Sequence, residues 1–136
     1  MEVDNRGGAM AVVHKLFPDM RITDNVNDVA YVFVSKGESY LAMFKREYYK
    51  NFKYHFPHCK KPTGTDYGWA QIMSLSLLKL ALMRNVKEIV FITPDAKAYA
   101  CTPADFMSFY KQHTTNVPHL AGEVAMPLDN FRRVQP

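Results

Sequence analysis

The sequence predicts an α/β (α+β) fold in which helices flank a mixed central β-sheet, and three observations carry that expectation. Residues 28–46 read as two strands rich in Val, Phe, Tyr and Leu, joined at Lys36-Gly37. Residues 69–83 are apolar on nearly every side of a helical wheel, as a long, central, buried helix would be. Residues 88–93 have the composition of a buried strand, and a capped helix begins at Thr102. Strands and helices mixed in this order pack as one sheet with helical layers.

At 136 residues with 48% apolar content, the chain is expected to form a single domain, 1–136, with a core of its own. No apolar run reaches the roughly 20 residues of a membrane span. The first residues do not read as a secretion signal, so the expected location is intracellular, with no membrane partner. Cys59 and Cys101 are accordingly expected to stay reduced.

Taken in order, Arg6-Gly7-Gly8 leads into a helix over 9–17, with Ala9, Val12, Val13 and Leu16 as its apolar stripe. Pro18-Asp19 ends it. A short strand over 20–23 and a polar turn over 24–27 precede the hairpin. A two-residue loop at Lys36-Gly37 makes paired positions sum to 73, which sets Asp28 opposite Lys45. Opposed residues share a face, with Cβ atoms roughly 5 Å apart. Residues 60–66 are a loop, with Thr65 or Asp66 as cap of the long helix. Trp69, Ile72, Met73, Ser76, Leu80 and Met83 line one side of it. Gln71 has two readings there, a solvated first-turn residue or a side chain aimed at the open end of the hairpin. After the strand over 88–93, residues 94–97 turn the chain into a second strand, 98–101. Phe106, Phe109 and Tyr110 dock the next helix, 123–127 reads as an edge strand ended by Pro127, and 128–133 closes the chain.

Charge is unevenly placed. Between Lys36 and Lys61 lie seven basic residues against two acids, a local net charge of +5, while the rest of the chain is net −1. A positive excess confined to one stretch suits a polyanion. Seven of the 18 aromatic residues fall between Tyr40 and Phe56, interleaved with lysines. Rings stack on bases while amines neutralise phosphates, so Lys36, Arg46, Tyr49, Lys50, Phe52, Lys53, Lys60 and Lys61 are the candidate nucleic-acid contacts. The competing reading packs some of these rings under the sheet and leaves the lysines solvated. His55, His58 and Cys59 lack a fourth ligand and do not compose a zinc site.

Arg6-Gly7-Gly8-Ala9, Asp28-Val29-Ala30, Met43-Phe44-Lys45 and Gln71, in this order of elements, resemble the PD-(D/E)xK nuclease superfamily. The likeness is to its small archaeal and viral members similar to Holliday-junction resolvases. It spans residues 6–133 as an ordering of elements. It implies a restriction-endonuclease-like core and a first helix that often carries a glutamate. It also implies an Asp opening the second strand, an acid-x-Lys motif ending the third, and a polar residue on the following helix. The acids of such a site hold Mg²⁺, which activates water, while the lysine orients the nucleophile. A two-fold homodimer is implied too.

This chain departs from that pattern at two positions. Met43 stands where the motif acid is expected, and Met10 falls near the first-helix glutamate. A thioether does not replace a carboxylate for a hard cation. Glu38 is seven residues from Lys45, over about 20 Å along a strand, which excludes it. Glu47 shares the face of Lys45. Three readings follow. The first is a nucleic-acid-binding protein, for DNA ahead of RNA, or a subunit beside an active partner, with catalysis lost or impaired. The second is a Mg²⁺-dependent endonuclease using Asp28 as metal ligand with Lys45, Gln71 and a relocated Glu47. The third is a protein-interaction module docking through residues 48–56. Taken without the resemblance, Asp28 and Lys45 read as a cross-strand ion pair, which if exposed contributes under ~1 kcal/mol.

Overall fold

Residues 30–43 form the expected hairpin, with β2 (Ala30–Ser35) and β3 (Glu38–Met43) antiparallel from Ser35↔Glu38 to Ala30↔Met43. Lys36 (φ 52°) and Gly37 (φ 78°) make the tight turn, whose left-handed backbone matches the strand twist. The computed structural model describes residues 5–27, 30–43, 70–93, 96–112, 123–127 and 130–135. Among these, β1 (Arg21–Asn27), β5 (Glu88–Ile92), β6 (Ala98–Cys101) and β8 (Arg132–Val134) complete a six-stranded sheet in the order β1-β2-β3-β5-β6-β8. All neighbours are antiparallel except β3 and β5, which run parallel. A parallel neighbour requires a crossover, which the chain makes between residues 44 and 87.

Both faces of the sheet are buried. Tyr31, Phe33, Tyr40, Ala42, Val90, Ile92 and Ala98 pack with Ala9 and Val13 of helix α1 (Asn5–Leu16). Ala30, Val32, Leu41, Met43, Ile89 and Phe91 pack on the other face. Their partners there are Leu77, Leu78 and Ala81 of α2 (Leu75–Met83) and Phe106 and Phe109 of α3 (Pro103–Gln112). The hairpin reads as almost continuous apolar sequence because each strand residue, inward or outward, meets a helical layer. A mixed sheet flanked by helices is thus the architecture.

Several elements differ from the sequence expectation. Helix α1 starts at Asn5, so Arg6-Gly7-Gly8 lies inside its first turns rather than ahead of it. Strand β1 runs on through Asn27, where a turn was expected. It is an edge strand whose side chains over 21–26 are exposed or half-buried, so polar residues fit, and two register shifts absorb its irregularity. Residues 70–74 are a strand, β4 (Ala70–Ser74), paired with β7 (Glu123–Pro127) in a separate two-stranded sheet. The helix begins only after Ser74, whose hydroxyl accepts the Leu77 N–H at 3.1 Å as N-cap. This shorter α2 buries Leu77, Leu78 and Ala81 and leaves Ser76, Lys79, Leu82 and Met83 exposed, so it is not apolar and buried all round. Thr102 caps α3 as expected, its hydroxyl accepting the Asp105 N–H at 3.0 Å.

Asp19, just beyond α1, clamps the hairpin turn. Its carboxylate accepts from the Ser35 hydroxyl at 2.6 Å and from the Lys36 backbone N–H at 2.8 Å. These bonds, the Ser35 one foremost, hold its pKa below the ordinary 3.8. A depressed carboxylate contributes stability that is present above its unfolded pKa and lost as pH falls through the folded one. Asp19→Ala should therefore lower the denaturation midpoint at neutral pH. The gap to the native protein should close as the pH falls below about 4. Denaturant titrations at a series of pH values check this, and a gap independent of pH would remove Asp19 from that role.

Candidate nucleic-acid interface

The end of the sheet opposite the turn is where the resemblance puts its chemistry. The last described pair there is Ala30↔Met43. That pair belongs to a transverse row that crosses the whole sheet on the α2–α3 face: Asn27, Ala30, Met43, Phe91, Tyr99 and Arg133, each the register partner of the next. Met43 is 1% exposed and shares one apolar cluster with Ala30, Met73, Leu77 and Phe91. A thioether in such surroundings fills space and binds no hard cation. Met10, on α1 itself, is half-buried against the cluster on the other face. The two positions where acids were expected thus sit in separate apolar layers.

The sequence-predicted site residues fare unequally. Asp28, Lys45, Arg46, Glu47, Tyr49, Lys50, Phe52, Lys53, Lys60 and Lys61 lie outside the described residues, as do His55, His58 and Cys59. Asp28 precedes Ala30 by two positions and Lys45 follows Met43 by two. Gln71 lies on β4, opposite Met126 of β7, and not on a helix. Its expected place rested on apolar spacing that runs through residues 69–83 without a break, whereas the strand pairing that claims 70–74 comes from some 50 residues away. Lys36 is exposed in the turn, at the far end of β3 from Met43, roughly 20 Å along the strand. The hairpin therefore separates Lys36 from the Met43 end.

Elsewhere, carboxylates are matched to cations from distant parts of the chain. Lys87 Nζ meets Glu38 at 2.8 Å, and Arg84 meets Asp24 at 2.7 Å. Arg132 grips Glu88 through Nε at 3.1 Å and through its terminal nitrogen at 2.5 Å. Arg133 differs from its neighbour: its guanidinium carbon lies 5.6 Å from the centroid of the Tyr99 ring. None of these partnerships was anticipated from sequence. Opposite charges 44 to 60 positions apart carry no local signal. Among the described residues no group of three or more His, Cys, Asp or Glu could hold a metal ion. Cys101 is a free, buried thiol, pushed up to about 12 by burial first and then by Asp105 and Glu88. It stays protonated and supplies neither a nucleophile nor a thiolate ligand.

No family model, curated protein or solved structure matches this chain. No helix among the described residues is long and apolar enough to cross a membrane.

The apolar setting of Met43 sets a measurable expectation. Met43→Leu should stay within about 1.5 kcal/mol of the native protein, being close in volume. Met43→Glu should cost about 3–5 kcal/mol at neutral pH, as an uncompensated buried charge. Burial raises the pKa of that new carboxyl, so its deficit should grow as pH rises above about 4. Chemical denaturation with and without Mg²⁺ reads both effects. Native-like stability of Met43→Glu in Mg²⁺ would place cation-holding groups beside residue 43.

Proposed function

We propose that this chain is an intracellular nucleic-acid-binding protein, for DNA rather than RNA, built on a nuclease-like core whose metal centre has been lost. The observation that carries the loss is Met43, 1% exposed in an apolar cluster at the position where the motif acid is expected. Support for the core comes from the order of the elements. A first helix is followed by β1, by β2 opening just after Asp28, by β3 ending just before Phe44-Lys45, and, after β4, by α2. Support for binding comes from the net charge of +5 and the interleaved aromatics between Lys36 and Lys61. The contacts are Arg46, Tyr49, Lys50, Phe52, Lys53, Lys60 and Lys61. Lys36 has the weakest place among them, because the hairpin separates it from the Met43 end. A homodimer belongs to the same reading, and exposed Leu82 and Met83 on α2 offer apolar surface for it.

Mg²⁺ enters only if an acid has moved to replace Met43, with Asp28, Lys45, Gln71 and Glu47 as the set. One carboxylate alone neither holds the ion nor offsets the phosphate charge. Binding and cleavage assays on duplex and branched DNA separate the readings. The native protein should bind with affinity that falls steeply with salt, by counterion release, and should cleave nothing in Mg²⁺ or Mn²⁺. Lys50→Glu/Lys53→Glu should weaken binding to all sequences alike, because phosphate contacts carry no sequence information. Salt-insensitive binding would favour docking of a protein through residues 48–56. Cleavage abolished by Glu47→Ala would establish the enzyme instead.

A further inference from the structure

We infer that Arg133, whose guanidinium carbon lies 5.6 Å from the Tyr99 ring centroid at the edge of the sheet, is a backbone-phosphate contact of the bound nucleic acid, at the far end of the row that includes Met43. The inference rests on the nucleic-acid-binding reading above. The row places Arg133 on the α2–α3 face, three strands from Met43. At roughly 4.8 Å per strand that is about 14 Å. One DNA strand advances about 3.4 Å per nucleotide, so about four steps span the distance. Because α2 and α3 cover the row between them, a strand reaching both places would follow the open end of the sheet and not its face.

The chemistry of Arg133 fits a phosphate better than that of the other described arginines near it. Arg132 and Arg84 spend their N–H donors on Glu88 and Asp24. Arg133 has no carboxylate partner among the described residues, and its contact is with a ring face. A guanidinium beside a ring keeps its N–H donors for other partners, and their planar fork matches two phosphate oxygens. Tyr99 is half-buried in the core cluster, so the platform under Arg133 is fixed. The arginine itself is exposed at the last strand, where a long polyanion has access. A charge placed only to protect a sheet edge needs no such platform.

Fluorescence anisotropy of a labelled 20-base-pair duplex, titrated at several salt concentrations, tests this on the full chain. Arg133→Ala should reduce the slope of log affinity against log salt by about 0.9, and affinity by roughly five- to tenfold at 0.1 M salt. Arg133→Lys should keep the slope and lose affinity, since the charge remains and the planar fork does not. Arg132→Ala is the internal comparison: its donors are on Glu88, so the slope should be that of the native protein. Thermal melts confirm that each variant is folded. Native binding with an unchanged slope in Arg133→Ala would overturn this contact while leaving the binding reading intact. An equal fall in Arg132→Ala would also overturn it, showing a diffuse charge effect. Absence of salt-dependent binding by the native protein would overturn both.

Discussion

Both layers of this protein depend on the register of the β2–β3 hairpin. Its side chains alternate between two buried faces, so a slip of one residue would exchange the partners of α1 with those of α2 and α3. The register is held from the turn. Lys36 and Gly37 adopt positive φ, and Asp19 binds the Ser35 hydroxyl and the Lys36 amide. Close by, Phe33 and Tyr40 stack with ring centroids 5.2 Å apart, and Phe17 from the end of α1 lies against both rings. Local geometry and packing select the same pairing, and that agreement makes the rest of the sheet determinate.

The same register decides the chemistry at the other end. It puts Met43 on the face occupied by α2 and α3, where Phe91, Met73 and Leu77 leave it 1% exposed. An acid there would need a cation or a proton to offset its burial, and methionine needs neither. On the proposed reading, loss of the metal centre goes with a gain in packing at that position. Among the described residues, Glu38 is neutralised by Lys87, and Arg133 lies over the Tyr99 ring.

What could be read from the sequence follows the range of the interactions involved. The hairpin was legible because a two-residue turn fixes its register locally, and Ser35↔Glu38 through Ala30↔Met43 keep the expected sum. The strands at 88–92 and 98–101 and the Thr102 cap were legible for the same reason. Strand β4 was not, since its partner β7 lies some 50 residues on and its own spacing suits a helix equally well. Strand β8 was missed because Arg132-Arg133 has no apolar alternation, edge strands being free of that requirement. Of the candidate site, the apolar residue at position 43 was legible, because it is a property of one residue, and its burial follows from the hairpin register. The Tyr99–Arg133 contact was not, because only the assembled sheet brings those residues together.

The central claim, a nucleic-acid-binding face kept beside a metal centre that is lost, is tested most directly by titrating the isotope-labelled protein with Mn²⁺ and then with duplex DNA. Paramagnetic broadening reports proximity to a bound ion, residue by residue. A lost centre predicts no saturable broadening of the Ala30 and Met43 amides by Mn²⁺, and DNA-induced shifts that reach the Tyr99 and Arg133 amides. Saturable broadening centred on Ala30 and Met43, with no response to DNA at Arg133, would contradict it.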